Sequence, residues 1–426
     1  MIKENIRTSD HDVVVIGGGP AGATAAALLA RAGRDVALVE KARFPRYHVG
    51  ESLMPFCWHT LNRLGVLDEL ESFGFPRKYS VQFASEDGRI SEPFYFFQHH
   101  DHPSSTTWQV ERRDFDQMLL NRARQDGAHV HEDTAATRLL KEGEAVTGIR
   151  AKDAEGELEL RGKVTIDATG RDAFSQAKEG WRQRDPVLNK IALWTYYRGG
   201  KRDPGLDAGA TTVAYIPQKG WFWFIPMRGD VVSIGVVGER DYLYRDGLRD
   251  PGAIMDREVL NNAWIADHLE SAEQFGEYWV TGEYSYRSRY SAADGLVLAG
   301  DAFAFLDPVF SSGVFLALKS GELAADTVDA ALEAGDTSAA RFATYSEELC
   351  AGIEKMRKIV YAFYDPEFKF GQVIRSHPHL RGTLTDLLIG NVFTDEIDFD
   401  ALFAAISEFT DLPAELPHGR PAPVGV

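Results

Sequence analysis

Between Val13-Val14-Val15-Ile16 and the Ala- and Leu-rich stretch Ala21–Arg31 lies Gly17-x-Gly19-x-x-Gly22, and this placement constrains the fold more than any other feature. A run of β-branched residues reads as a strand buried on both faces of a parallel sheet, and the stretch after the glycines reads as a helix. Asp35–Val39 returns to a strand ending at Glu40, 23 positions after Gly17, which completes a β-α-β unit. Glycines serve where the backbone turns sharply and approaches a pyrophosphate, while a helix N-terminus presents free N–H groups to that anion. An acidic side chain closing the second strand accepts hydrogen bonds from a ribose diol. In this context Gly17, Gly19, Pro20, Ala21, Gly22 and Glu40 read as a dinucleotide site.

The same region contains 18 uncharged residues, Val13 to Ala30, close to the lower limit for a membrane span. Gly17 to Pro20 cut it into a short strand and a short helix, so no transmembrane segment is expected. The first ten residues are polar and lack the apolar core of a signal peptide. The 64 acidic side chains outnumber 46 basic ones, for a net charge of −18, which argues against a nucleic-acid or anionic-membrane binder. Cys57 and Cys350 are the only cysteines and form no CxxC, which excludes a disulfide scaffold or a cysteine-based metal site and fits a cytoplasmic protein.

Further along, helices are expected near Met54–Leu64 and over Val110–Gln125, with strands in Val81–Glu92, Gly127–Glu132, Val146–Arg150 and Val164–Asp167. From about Asn189 to Tyr286 the texture becomes aromatic and β-rich, as in a separate, mostly antiparallel sheet. Leu296–Ala299 resumes the buried-strand pattern, a long helix runs from about Gly313 to Ala334, and the rest is helical with a Pro-rich tail expected to be mobile. The first domain is thus interrupted by the second.

Two later stretches favour FAD over NAD. Leu296 to Asp301 places Gly300-Asp301 after a buried strand, suited to the hydroxyls of a ribityl chain, and Ile166 to Gly170 is another strand-to-glycine turn. The set resembles the FAD-dependent monooxygenase and reductase superfamily. No second GxGxxG is present, so no dedicated NAD(P)H domain is expected. Trp221-Phe222-Trp223-Phe224-Ile225-Pro226 matches the WxWxIP signature of flavin-dependent halogenases, and Phe305 to Gly313 matches their FxxPxxSxG pattern. Phe44 to Ser52 resembles the strap of halogenases that act on phenols and pyrroles.

The resemblance implies an FAD-binding Rossmann-like three-layer α/β domain (10–75, 105–185 and 283–335), an inserted mostly antiparallel β-sheet substrate domain (76–104 and 186–282) and a helical C-terminal region (336–426). It further puts Lys41, Arg46, Ser52, Arg112, Pro308, Gly313 and Val314 against the flavin, and chloride or bromide at Ser312 and Gly313. Reduced FAD from a separate flavin reductase, dioxygen and halide would give hypohalous acid, which an essential lysine passes to an electron-rich aromatic. Lys78, in Phe75-Pro76-Arg77-Lys78, stands where the family keeps that lysine, although from the residues alone it reads as part of an ordinary basic turn. Trp221 and Trp223 share one face of a strand, either keeping the flavin from acting on the substrate directly or simply packing a sheet.

Phe310 stands where tryptophan halogenases carry a glutamate, which points to a phenol or pyrrole, free or tethered to a carrier protein. Phe94 to Phe97, Trp108 and Tyr361 to Tyr364 are candidates for an aromatic pocket or for core. No metal site is expected: His99, His100 and His102 lack helical ligand spacing, and His48 reads as a structural hydrogen-bonding residue. A reductase resembling geranylgeranyl reductase, a flavin hydroxylase and a non-catalytic FAD-binding electron-transfer protein remain alternatives.

Overall fold

The computed structural model describes residues 6–282 and 285–423. Its first unit is β1 (Arg7–Ile16), α1 (Pro20–Arg31) and β2 (Val36–Val39), with β1 and β2 parallel and Val13 opposite Val36. The four apolar residues ending β1 and all of β2 are buried, as a central strand covered on both faces requires. Helix α2 (Arg112–Gln125) packs on α1, and β3 (Gly156–Asp167) lies parallel to β1 on its other side. The sheet order is Ala292–Ala293, Leu296–Leu298, β3, β1, β2 and His129–His131, with a hairpin of Ala135–Glu142 and Ala145–Asp153 beside β3. Strand β1 begins six residues before the apolar run, because polar Arg7–Asp12 pairs along the outer half of β3, where no apolar alternation is needed.

A second sheet contains β4 (Lys190–Arg198), β5 (Thr211–Ile216), β6 (Gly220–Pro226) and β7 (Val231–Glu239). Its order is Glu273–Thr281, β4, β7, β6, β5, Ser80–Ala84 and Phe94–Tyr95, antiparallel except where β5 meets Ser80–Ala84. Alternation along β6 divides its side chains between two cores. Trp221, Trp223 and Ile225 join the main core, whereas Phe222 and Phe224 pack with Ile254, Met255, Trp264 and Ile265 from helices Pro251–Val259 and Ala263–Leu269. The end of the β-rich stretch that runs to about Tyr286 divides into strands Glu273–Thr281 and Tyr286–Ser288, with 283–284 outside the described residues.

Helix α3 (Ser312–Ala334) crosses α1, α4 (Ala343–Tyr364) packs on α3, and three shorter helices, Phe370–Ser376, Arg381–Ile389 and Phe399–Ser407, complete the C-terminal region. The Pro-rich tail, expected to be mobile, docks instead. Gly419 N–H donates to the Arg289 carbonyl at 3.0 Å and Ala422 N–H to the Ala292 carbonyl at 2.8 Å. Pro421 and Pro423 leave the Ala422 N–H between them available to pair at the sheet edge, and the Ala422 side chain is buried. The last residues, 424–426, lie outside the description. Among the described residues no helix is long and apolar enough to cross a membrane.

The α1–α3 crossing depends on small residues. A Cβ added at Gly321 would sit 2.4 Å from the Ala21 carbonyl oxygen, which belongs to the helix that opens the nucleotide site. Gly321→Ala is expected to destabilise the protein by about 1–3 kcal/mol through overpacking, read as an earlier denaturant midpoint with unchanged m-value.

Candidate active site

A cavity of about 590 Å³ lies between the C-terminal ends of β1, β2 and β3, the N-terminus of α1, the 41–52 strap and the inner face of β5–β6. Its shape follows from local sterics. Gly17 has φ +102°, and a Cβ there would lie 2.4 Å from the Ala168 carbonyl oxygen, so only glycine lets the first turn nest against the Ala168-Thr169-Gly170 turn. Asp167 fixes that second turn by accepting from Thr169 N–H and Oγ1 and from Ser175 N–H at 3.1, 2.7 and 2.6 Å.

Of the residues expected to touch FAD, Gly17, Gly19, Pro20, Ala21, Glu40 and Lys41 line the cavity at its α1 end. Gly22 does not. A Cβ there would fall 1.9 Å from the Gly17 carbonyl oxygen, so Gly22 acts by letting the helix pack on its own turn. Glu40 accepts from Gly18 N–H and Ala42 N–H, both at 2.8 Å, which aims its remaining lone pairs at a diol. Lys41 is ion-paired with Asp172.

Arg46, Ser52 and Arg112 also line the cavity, and Arg112 organises the strap. Its Nε and Nη2 donate to the two oxygens of Asp116 at 2.7 and 2.9 Å, while Nη1 donates to the Val49 carbonyl at 2.9 Å. Arg46 meets Asp116 from the strap at 3.1 Å. Tyr47 stacks on Trp279 and accepts from Trp194 Nε1 at 2.6 Å, pinning the strap to the second sheet. His48, exposed on the strap, has its Nδ1 2.6 Å from the Val49 carbonyl. Next to it Glu51 accepts from Tyr196 Oη at 2.5 Å, and burial pushes its carboxyl up to about 7.

Gly300, Asp301, Pro308, Gly313 and Val314 line the cavity as well, with Gly300 packed against Ala21 of α1. Burial pushes the Asp301 carboxyl up to about 6, with Arg171 and Arg112 opposing. Ser312 is placed behind the wall rather than in it, with a buried Oγ that has no hydrogen-bond partner among the described residues. Ser311, at φ +59°, turns the chain so that Ser312 and Gly313 begin α3. A buried hydroxyl beside the free N–H groups of a long helix suits a small anion.

Trp221 and Trp223 both line the cavity, 6.2 Å apart, whereas Pro226 ends the strand away from it. Trp221 Nε1 donates to Tyr364 Oη at 2.8 Å, Tyr364 Oη donates to Asp307 Oδ2 at 2.8 Å, and Asp307 Oδ1 accepts from Val309 N–H at 3.1 Å. Helix α4 therefore ties the tryptophan wall to the turn that leads into Ser312. Burial pushes Asp307 up to about 7, with Tyr364 opposing.

Lys78 stands outside the cavity wall, on the two-residue strand Arg77–Lys78 paired with Thr107–Trp108. It is 4% exposed, so it is not a solvated basic turn. Its Nζ donates to Ser52 Oγ at 2.9 Å and to the Leu53 carbonyl at 3.3 Å, and lies 5.9 Å from the centre of the Phe96 ring. Burial without a carboxylate partner pushes it down to about 7.

The chain matches the tryptophan halogenase family over residues 98–370 and the FAD-dependent oxidoreductase family over residues 12–177. It is 31% identical to a 1H-pyrrole-2-carbonyl-[peptidyl-carrier protein] chlorinase of Pseudomonas fluorescens, covering 90% of each chain. It is 32% identical to the corresponding brominase of Pseudoalteromonas luteoviolacea, covering 91% of this chain and 93% of that one. The solved flavin-dependent brominase Bmp2 superposes with a TM-score of 0.85 at 30% identity, covering 94% of this chain and 98% of the other. The chain belongs to the flavin-dependent halogenases. It is an FAD enzyme, and Gly17, Glu40 and Asp301 all line the one cavity.

For this halogenase the aromatic clusters are core or support. Trp108 is buried beneath Arg77 and Phe96 flanks Lys78, and neither they nor Tyr361 and Tyr364 line the cavity. Phe310 packs edge-on against Phe363 and Phe370, both 5.9 Å away. Among the described residues no His, Cys, Asp and Glu group is placed to hold a metal. Sequence reading missed Glu51, Asp307, Gln109 and Thr211. Glu51 and Asp307 fell inside the quoted strap and FxxPxxSxG stretches, but nothing in the spacing separates them from surface carboxylates.

Glu51 gives the site a testable pH signature. Its folded value, about 7, lies above its ordinary 4.5, so the folded protein binds this proton more tightly. The stability it contributes is full below the ordinary value and is lost as pH rises to the folded one, with a ceiling of about 3 kcal/mol. In flavin-free protein, Glu51→Gln is expected to flatten the decline of unfolding free energy across this window, measured by denaturant titration at several pH values.

Proposed function

We propose that this halogenase installs chlorine or bromine on an electron-rich five- or six-membered aromatic, a pyrrole before a phenol, presented as the thioester of a carrier protein. The activities of its pyrrole-carrier relatives support that substrate class. So does Phe310, an apolar residue placed before the Ser311-Ser312-Gly313 turn where a carboxylate would serve an indole. Reduced FAD, delivered by a separate flavin reductase in the cytoplasm, supplies the electrons that convert dioxygen and halide to hypohalous acid.

The chain's own residues then divide the work. The cradle of Gly17, Gly19 and Pro20 holds the pyrophosphate, and Glu40 and Asp301 take the hydroxyls at the two ends. The Ser312 hydroxyl and the first N–H groups of α3 hold halide. Trp221 and Trp223 wall the flavin off from the aromatic substrate. Lys78 receives the oxidising halogen, as a chloramine or by hydrogen-bonding the hypohalous acid, and passes it on.

The observation that carries this reading is a buried lysine with no carboxylate partner, one hydroxyl away from the FAD cavity. An amine pushed down to about 7 gives up its proton far more readily than a surface lysine, and once neutral it has a lone pair to offer. The test uses purified protein, FAD, a flavin reductase, NADH, catalase and either bromide or chloride, with a 1,3-diketone trap analysed by mass spectrometry. Native protein is expected to give halide-dependent product, and Lys78→Met to lose about 100-fold or more while still binding FAD. A pyrrolyl carrier thioester should be halogenated well ahead of the free acid. Equal product from native and Lys78→Met protein would refute the role of the lysine, and the absence of halogenated trap and thioester would refute the halogenase chemistry proposed here.

A further inference from the structure

Lys78 does not meet the FAD cavity directly; the Ser52 hydroxyl stands between them and is hydrogen-bonded in turn to that of Thr211. Ser52 Oγ lies 2.9 Å from Lys78 Nζ and 2.8 Å from Thr211 Oγ1, and both Ser52 and Thr211 line the cavity. Thr211 Oγ1 also accepts from Gln109 Nε2 at 2.8 Å. The Gln109 amide has a fixed sense, because the same Nε2 donates to the Gly209 carbonyl at 2.9 Å and the opposite orientation would set two oxygens face to face. All four side chains are buried, at 5% exposure or less.

Counting donors orients the chain. A protonated Lys78 can only donate, so Ser52 Oγ accepts from it and turns its own proton to Thr211. The Gln109 amide can also only donate, so Thr211 Oγ1 accepts twice. The Thr211 hydroxyl proton must then point away from both partners, and Thr211 is itself one of the residues that line the cavity. Backbone geometry keeps the links in register. Ser52 and Gln109 form an isolated antiparallel bridge, and Gly209 approaches Arg77 so closely that a Cβ would fall 2.1 Å from its carbonyl oxygen.

We infer that Ser52 and Thr211 form a proton wire from Lys78 into the FAD cavity, with Gln109 as the residue that positions it. An oxygen atom gaining negative charge in the cavity takes the Thr211 hydroxyl proton. Thr211 takes the Ser52 proton, and Ser52 takes one from the Lys78 ammonium. One proton enters the cavity and one leaves the lysine, so charge balances and Lys78 is left as a neutral amine. The arrangement couples proton demand at the flavin to the nucleophilicity of the lysine, and both hydroxyls must rotate before the next turnover.

This inference rests on the halogenase reading for its purpose but not for its geometry, and the test separates the two. Lysine labelled with carbon-13 at Cε reports ionisation by NMR in flavin-free protein, with the Lys78 signal assigned by its loss in Lys78→Met. Thr211→Val keeps the shape and removes the hydroxyl, whereas Thr211→Ser restores it. The valine protein is expected to lower the Lys78 titration midpoint by about half a pH unit or more, because the ammonium loses a polarised chain, and the serine protein to return it. Trap halogenation should fall about tenfold in the valine protein, in kcat rather than in the KM for halide, and recover in the serine protein. Ser52→Ala cuts the wire one link earlier and must move the same titration, which decides the matter should the valine protein not fold. An unmoved Lys78 midpoint in folded valine and alanine proteins, or failure of serine to restore it, overturns the wire. No halogenation by native protein would overturn the function and leave the NMR result to decide the wire.

Discussion

The buried Arg112–Asp116 pair underlies the whole site. Both residues project from one turn of one helix, and Asp116 is fully buried. Taking two charges out of water is costly, and such a pair is tolerated only when geometry and extra hydrogen bonds repay the desolvation. Here two parallel hydrogen bonds join guanidinium and carboxylate, and the remaining donors and acceptors are spent on the strap, through the Val49 carbonyl and Arg46. The strap carries His48, Glu51 and Ser52, and Ser52 holds Lys78. Removing one partner would leave an unpaired buried charge and also release the segment that joins flavin and lysine.

A second dependence runs through the C-terminal region, which carries no recognisable motif. Helix α4 supplies Tyr364, whose hydroxyl stands between Trp221 and Asp307. The tryptophan belongs to one sheet and the aspartate to the turn feeding α3, so one phenol sets the spacing between the wall of the cavity and the start of that helix. The alternation of β6 makes this possible. Its even positions are fully occupied by a separate core, leaving Trp221 and Trp223 free to be placed by what the cavity requires.

The β-α-β unit and the long helix were legible because each rests on periodicity or on glycines whose neighbours are fixed locally. Legibility failed where partners are remote in sequence. Arg7–Asp12 is polar, and only its pairing with Leu158–Gly162 makes it a strand. Gly22 carries the expected identity but acts on the turn rather than the ligand, a distinction that depends on where the Gly17 carbonyl lies. Thr211, at the start of β5, and Gln109, just past the strand Thr107–Trp108, are unremarked polar residues until the bridge between Ser52 and Gln109 brings them beside a lysine. Lys78 alone reads as basic surface, and only the fold around it removes the water.

Loss of water also explains why two opposite groups are tuned to one pH. Burial disfavours the charged form of each, so the Glu51 carboxyl rises and the Lys78 amine falls, and both arrive at about 7. They occupy adjoining parts of one strap-centred network but do not pair, for Glu51 is turned to Tyr196 and Lys78 to Ser52. Had they met, each would have held the other charged, and the lysine would have kept its proton. Separation by the single peptide step from Glu51 to Ser52 keeps an acid on one side of the cavity and a neutralisable amine on the other. The strap's turn at Gly50, held by Arg112, is what sends those neighbours in different directions.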